Sequence, residues 1–111
     1  MDQNTAKGGV FVDFFGKKAA TPRALALLSY RSGTPILPLF CYPTDKGTYR
    51  IKYGPEILLE KSDSRDNDIL SWTYQYEQFI ENIIRENPSP WMCGHRRWKT
   101  RPPEEKGTRI Y

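Results

Sequence analysis

Residues 8–16 of the chain read GGVFVDFFG. Between the glycines the run is apolar except for one aspartate, which predicts a mostly buried strand closed by a turn at Gly16. Thr21-Pro22 follows, and these residue types favour the N-cap and the first position of a helix. Gly33 stands where such a helix would stop. This part of the sequence therefore predicts a strand followed by a helix over residues 22–32.

Two further strands are predicted after this helix. Residues 36–42 form an apolar run, and Pro38 within it lacks the N–H that a central strand needs, so it requires an end, an edge or a bulge. Residues 44–47 have turn chemistry, and residues 48–53 alternate aromatic or apolar residues with basic ones, as a half-exposed strand does. We expect these two strands to form a hairpin, with a short strand around 57–59 after it.

The strongest periodicity lies in the second half of the chain. Apolar residues recur there at spacings of three and four, which predicts a long amphipathic helix over residues 66–86. They are Ile69, Trp72, Tyr76, Phe79, Ile80, Ile83 and Ile84. Asn87-Pro88 ends the pattern, because the residue before a proline disfavours helix. The order of elements predicts an α/β fold with one short crossover helix and one long C-terminal amphipathic helix.

The positive charge of the chain is concentrated at its end. The 111 residues suit one small domain and carry a net charge of +4. Residues 95–111 hold six cations and two anions, so this segment contains the whole excess. We therefore divide the chain into an α/β portion, 1–94, and a basic tail, 95–111. Such a tail suits nucleic acid, anionic lipid headgroups or an acidic protein, and a merely solvated tail would have the same composition.

Most conventional catalytic and metal sites are excluded. The chain has a single histidine, His95, and neither a serine nucleophile elbow nor a phosphate-binding loop. Cys41, Cys93 and His95 are too few for a structural zinc site, so we expect no metal and no cofactor. Cys93 and His95 could form a nucleophilic pair, but a packing role for Cys93 is favoured. Neither a signal peptide nor a membrane-spanning helix is expected.

Aromatic and cationic residues are interleaved over residues 91–101, which read WMCGHRRWKTR. Arginine can hold a phosphate with two hydrogen bonds, and tryptophan favours the membrane–water interface. Aromatic residues among cations also suit stacking on nucleic-acid bases. The cluster therefore fits an anionic membrane or a nucleic acid, and its composition does not choose between them.

This cluster resembles a known family signature. Residues 95–102, HRRWKTRP, with Trp91 before them, resemble the C-terminal signature of the bacterial lipid A biosynthesis acyltransferases, which add secondary lauroyl or myristoyl chains. Other blocks resemble the middle region of the family: Asp2-Gln3-Asn4, residues 9–16, residues 19–22 and the proline-containing residues 32–40. The resemblance extends over nearly the whole chain. Asp13, Cys93 and Gly94 depart from the usual family residues, which we interpret as drift.

The resemblance implies an activity and a location. These enzymes transfer a fatty acyl chain from acyl carrier protein, or from coenzyme A, to a hydroxyl of a lipid A precursor at the cytoplasmic face of the cell inner membrane. The family is similar to the glycerolipid acyltransferases, whose base is a His with an acidic residue five positions on. Thr100 stands five positions after His95, so His95 is not that base.

The resemblance therefore implies that this chain is the C-terminal portion of an enzyme and inactive by itself. Its strands would form part of a glycerolipid-acyltransferase-like sheet. We expect an exposed apolar surface where the N-terminal portion of the enzyme packs. The alternative is a small basic module without enzymatic activity that binds nucleic acid or anionic membrane.

The resemblance also implies roles for individual residues. Asp2 would neighbour the active site. Four cations would contact the phosphates of the lipid or the acidic carrier protein: Arg96, Arg97, Lys99 and Arg101. Phe11, Phe14 and Phe15 could line an acyl groove, although packing in the core is the favoured interpretation.

Overall fold

The computed structural model describes residues 4–86 and 97–105. Its first feature is an antiparallel hairpin of β1, Gly9–Phe14, and β2, Lys17–Pro22. The two residues between the strands, Phe15 and Gly16, both have positive φ, 51° and 76°. This is the geometry of the tight hairpin turn that matches the twist of the strands. The predicted first strand and its glycine turn are confirmed.

The helix after this hairpin begins later than predicted. α1 is Ala24–Ser32, and Thr21-Pro22 ends β2 instead of starting the helix. The N-cap expectation for Thr21 is wrong because its hydroxyl is used elsewhere. It donates to the Ala19 carbonyl (3.1 Å) and accepts a hydrogen bond from Arg97 (2.6 Å). Gly33 does end the helix, in the left-handed conformation that glycine adopts readily.

A second antiparallel hairpin follows α1. β3, Leu39–Pro43, pairs with β4, Tyr49–Tyr53, so the predicted hairpin is confirmed. Pro38 lies directly before β3, at a strand end where its missing N–H is not needed. The Pro38 carbonyl accepts the N–H of Gly54 at 2.9 Å and closes the open end of the hairpin.

The two hairpins are separate sheets. α1 connects them, so within residues 4–86 and 97–105 the predicted crossover between strands of one sheet is not formed. The expected strand around 57–59 is reduced to one isolated antiparallel bridge, between Ile36 and Ile57. The fold is α/β in the sense that helices pack with small antiparallel sheets.

The long helix α2, Arg65–Glu86, confirms the predicted amphipathic helix. Its Ile69, Trp72 and Tyr76 form the core together with Ala26 of α1. The other predicted apolar positions, Phe79, Ile80, Ile83 and Ile84, are half-buried. α2 also packs against β1, and there it buries polar residues that apolar periodicity does not predict: Thr73, Glu77 and Glu81.

The start of α2 is fixed by side-chain caps. Ser64 Oγ accepts the N–H of Asn67 (3.4 Å), and the Asp68 carboxylate accepts both the N–H and the hydroxyl of Ser62 (2.7 and 2.6 Å). The first of these bonds satisfies a backbone N–H that the first turn of a helix leaves without an intrahelical partner. The other two attach the chain before α2 to its first turn. Asp66 and Asp68 also place negative charge at the positive end of the helix dipole.

Candidate functional site

Residues 97–105 run along the first hairpin. The Trp98 indole N–H donates to the Phe14 carbonyl (3.2 Å), and the Arg101 guanidinium donates to the Lys18 carbonyl (2.7 Å). The segment ends in a short 3-10 turn, Pro103–Glu105. The described part of the predicted basic tail therefore packs against the first hairpin, and hydrogen bonds to backbone carbonyls of that hairpin hold it there.

Arg97 is the most deeply placed residue of this segment. Its side chain is 2% exposed and donates to the Ala20 carbonyl (2.8 Å), to Thr21 Oγ1 (2.6 Å) and to Glu77 Oε2 (3.3 Å). Its guanidinium also lies 5.3 Å from the centre of the Phe14 ring. Burial of a charge is costly unless the charge is paired and hydrogen-bonded, and both conditions are met here. Arg97 thus joins β2 to α2 through the interior.

A second connection joins the two ends of the described chain. Asn4 Nδ2 donates to Thr100 Oγ1, and the Thr100 N–H donates to Asn4 Oδ1, both at 3.1 Å. These residues belong to the two blocks on which the family resemblance rests. Asp2, the predicted neighbour of the active site, is two residues before Asn4 and lies outside the described residues.

The four predicted phosphate-binding cations differ in environment. Arg97 is buried, and Arg101 is mostly buried, bonded to Lys18 and paired with Glu105. Lys99 is exposed, and Arg96 lies outside the described residues. Lys99 is therefore the one of the four that the described structure presents to solvent, held between two anchored neighbours, Trp98 and Thr100.

The three phenylalanines are also divided. Phe14 is completely buried, with its ring 5.8 Å from that of Trp98. Phe15 occupies the hairpin turn, where the Arg85 guanidinium lies 4.7 Å from its ring centre. Phe11 is half-buried and lines a shallow cleft with Leu70 and Tyr74. Phe14 is therefore a core residue, and of the three phenylalanines Phe11 is the one that borders an open cleft.

An apolar groove that sequence reasoning missed lies between α1, α2 and the start of β3. It has a volume of about 250 Å³ and is lined by Leu25, Ile36, Leu37, Pro38, Leu39, Phe40, Ile57, Tyr76 and Ile80. These residues come from four separate parts of the chain, so no local pattern indicates the groove. Burial raises the pKa of the Tyr76 phenol, although its hydrogen bond with Ser29 opposes the rise. Tyr76 is therefore neutral at physiological pH, as an apolar lining requires.

Glu81 forms a polar cluster beneath the first hairpin turn. Its carboxylate accepts the N–H of Phe15 (3.0 Å), the Gln78 amide (3.0 Å) and the Arg85 guanidinium (2.8 Å). Burial opposes ionisation of Glu81, but these donors outweigh it and hold the pKa of the carboxyl below its usual value. The cluster stabilises the turn and shares no residue with the Asn4–Thr100 junction.

Residues 4–86 and 97–105 include neither a candidate metal site nor a candidate membrane span. No group of three His, Cys, Asp or Glu side chains in these ranges is arranged to hold a metal ion. No helix in them is both long and apolar enough to cross a bilayer. The predicted pair of Cys93 and His95 lies outside the described residues, as does Trp91.

In a comparison with protein-family models, the bacterial lipid A biosynthesis acyltransferase model matches residues 1–100. A comparison with curated protein sequences finds no match. The matched range includes Asn4 and Thr100, whose side chains meet in the structure. It also includes the apolar groove and both hairpins.

Proposed function

This chain belongs to the bacterial lipid A biosynthesis acyltransferase family, and from that membership we propose that it acts in the transfer of a fatty acyl chain from a thioester donor to a hydroxyl of a lipid A precursor. The donor is acyl carrier protein or acyl-coenzyme A, and the reaction takes place at the cytoplasmic face of the inner membrane. The observation that carries the proposal is the family match over residues 1–100.

The proposed chemistry needs a general base. A histidine takes the proton of the acceptor hydroxyl, and the hydroxyl oxygen attacks the thioester carbonyl. The carbon–sulfur bond then breaks as the new ester forms, and the leaving thiolate takes the proton from the histidine. An acidic side chain orients the histidine. His95 does not meet this pattern, because Thr100 at the acidic position has no carboxylate. In this proposal the base is a histidine that these 111 residues do not contain, so the isolated chain does not catalyse transfer.

The chain would then contribute binding and positioning. We propose the apolar groove as the place of a fatty acyl chain, because its lining is almost wholly aliphatic and aromatic. We do not propose that Phe14 lines the acyl groove, as the resemblance suggested, because its ring is buried against Trp98. A groove suits an acyl chain because apolar burial of each methylene contributes about 0.8 kcal/mol.

The phosphate contacts are assigned to the outer side of residues 97–101. Lys99 is exposed and supplies the charge, while Arg97 and Arg101 hold the backbone on which it is carried. Arg96 is also proposed to contact a phosphate, and this assignment is based on the sequence alone. Arg97 and Arg101 donate hydrogen bonds within the chain, so the alternative of nucleic-acid binding would also depend on Lys99 and Arg96.

The strands supply the last part of the proposal. Each hairpin has two strands, and a two-stranded sheet is marginally stable unless it packs further. We propose that the hairpins are part of a glycerolipid-acyltransferase-like sheet that is completed by the N-terminal portion of the enzyme. Asp2 would lie near the active site of that complete enzyme.

Transfer of a radiolabelled acyl chain from acyl carrier protein to a lipid A precursor tests this function. The isolated chain should give no product. A complete family enzyme whose matching C-terminal part is replaced by this chain should be active, and Leu25→Asp in the groove should lower its activity. Turnover by the isolated chain that disappears in His95→Ala would make His95 catalytic and overturn the assignment of roles. An inactive, well-folded replacement enzyme would overturn the function itself.

A further inference from the structure

We infer that the second hairpin docks on the surface of an anionic lipid bilayer. The inference rests on one side of the β3–β4 sheet, which we call the hairpin face. Residues that stand directly opposite each other in an antiparallel pair share a face. The hairpin face therefore consists of three cross-strand pairs: Leu39 with Tyr53, Cys41 with Ile51, and Pro43 with Tyr49.

All six residues of the hairpin face are exposed, and none is charged. Tyr49 is 74% exposed and Ile51 55%. The opposite side of the same sheet is the one attached to the protein. Lys52 on that side bonds to Glu86 of α2 (3.2 Å), and Phe40 beside it lines the groove with Ile80. The hairpin face is thus an apolar surface turned away from α2, and a contiguous apolar surface of this kind marks an interaction site.

The composition of the hairpin favours a bilayer as the occupant. Residues 39–53 carry three cations and one anion. Lys46 lies in the connecting turn, beside Asp45, and Arg50 pairs with Tyr42 on the opposite side of the sheet near the same tip. Tyr49 and Tyr53 lie at the two ends of β4, and tyrosine favours the level of lipid headgroups because its ring is apolar and its hydroxyl polar. Apolar residues bordered by tyrosine and cations fit an anionic membrane surface.

The hairpin face is continuous with the apolar groove. Leu39 belongs to both, and Leu37, which also lines the groove, is 57% exposed. A hydrocarbon chain could therefore pass between bilayer and groove along apolar side chains. This step of the argument rests on the proposed function, because it gives the groove an acyl chain to receive.

Vesicle flotation tests the inference on the 111-residue chain. The chain should float with phosphatidylcholine vesicles that contain phosphatidylglycerol, and less with phosphatidylcholine alone. Ile51→Ser should weaken binding by about tenfold or more, because an isoleucine side chain no longer enters the bilayer. Lys46→Gln in the turn should weaken it by about fivefold, the contribution of one cation near an anionic surface. Leu28→Ser is the matched control, since Leu28 is 63% exposed on α1 and should leave binding unchanged.

A fluorescent probe locates the contact independently. Cys41 is exposed on the hairpin face, so an environment-sensitive dye can be attached to it in a Cys93→Ser variant. The emission should shift to the blue on addition of the anionic vesicles. An unchanged emission, or Ile51→Ser and Leu28→Ser variants that bind equally well, would overturn the inference.

Other occupants of the hairpin face give different results. If a second copy of the chain covers it, sedimentation will show a dimer that Ile51→Ser dissociates, and vesicles will not bind. If the N-terminal portion of the enzyme covers it, the isolated chain will bind vesicles but the complete replacement enzyme will not label at Cys41. Either result overturns docking on lipid. Vesicle binding is measured without acyl transfer, so the two tests are independent. A chain that does not bind vesicles contradicts the docking but not the proposed reaction. An enzyme that does not transfer acyl chains contradicts the reaction but not the docking.

Discussion

The Arg97 guanidinium and the Glu77 carboxylate form an ion pair at 3.3 Å in the interior, with side chains 2% and 0% exposed. Removing one partner of such a pair leaves a buried charge without compensation, which costs about 3–5 kcal/mol. Arg97 also bonds to Ala20 and Thr21, so the pair fixes the C-terminal segment on both the hairpin and α2.

We therefore expect Glu77→Gln and Arg97→Ala each to lower the free energy of unfolding by about 3–5 kcal/mol, measured by urea denaturation. The exposed pair of Lys52 and Glu86 is the control, and Lys52→Ala should cost at most about 1 kcal/mol. Equal losses at the two pairs would contradict a special role for the buried pair.

The Asn4–Thr100 junction should behave as one unit. Each hydrogen bond contributes about 1 kcal/mol. Asn4→Ala removes both bonds, whereas Thr100→Ala removes only the bond to its hydroxyl, because the backbone N–H of residue 100 remains. The double variant should therefore lose little more free energy of unfolding than Asn4→Ala alone, which a double-mutant cycle measures. Additive losses would show that the two side chains act separately. Ser32→Ala, which removes a solvent-exposed hydroxyl, gives the baseline for loss of an exposed bond.

How far the sequence predicts this arrangement depends on the range of the interactions. The span of α2 and the second hairpin follow from local periodicity and turn chemistry, and both are confirmed. β2 was not predicted, because Lys17-Lys18-Ala19-Ala20 has little β-propensity and becomes a strand by pairing with β1 and by accepting bonds from Arg97 and Arg101.

The same limit applies to the candidate site. The motif around Lys99 is visible as a cluster of cations, but charge alone does not reveal that Arg97 is buried. Its partner Glu77 lies 20 positions earlier, on a helix face where a carboxylate is expected to be solvated. Neither residue interrupts an apolar run, since Arg97 follows Arg96 and Glu77 precedes Gln78, so no local signal in the sequence marks the buried pair. The groove has no local signal either, because its lining is assembled from distant segments.

Acid should weaken the fold through Glu81. Its pKa is lower in the folded protein than in the unfolded chain, so its contribution to stability is present above the ordinary glutamate pKa and is lost as the pH falls through the lowered value. In Glu81→Gln the free energy of unfolding should be smaller at neutral pH and should fall less between neutral and acidic pH. Glu86→Gln, at an exposed carboxyl, is the comparison. A pH profile for Glu81→Gln parallel to that of the unsubstituted chain would show that Glu81 is not the titrating group.

A substitution at Lys99 should change substrate binding without changing the stability of the fold, because Lys99 is exposed while its neighbours are anchored. In the replacement enzyme, Lys99→Gln should lower kcat/KM for the lipid A precursor by about tenfold or more, the loss of one charge-assisted hydrogen bond. Contact with a phosphate that does not react binds ground state and transition state alike, so the change should appear as a higher KM with kcat nearly constant. The melting temperature should stay unchanged, whereas Arg97→Ala should lower it. Arg31→Gln, at an exposed cation of α1, should alter neither quantity. A Lys99→Gln variant with unchanged KM would remove Lys99 from the phosphate site and leave Arg96 as the cation to examine.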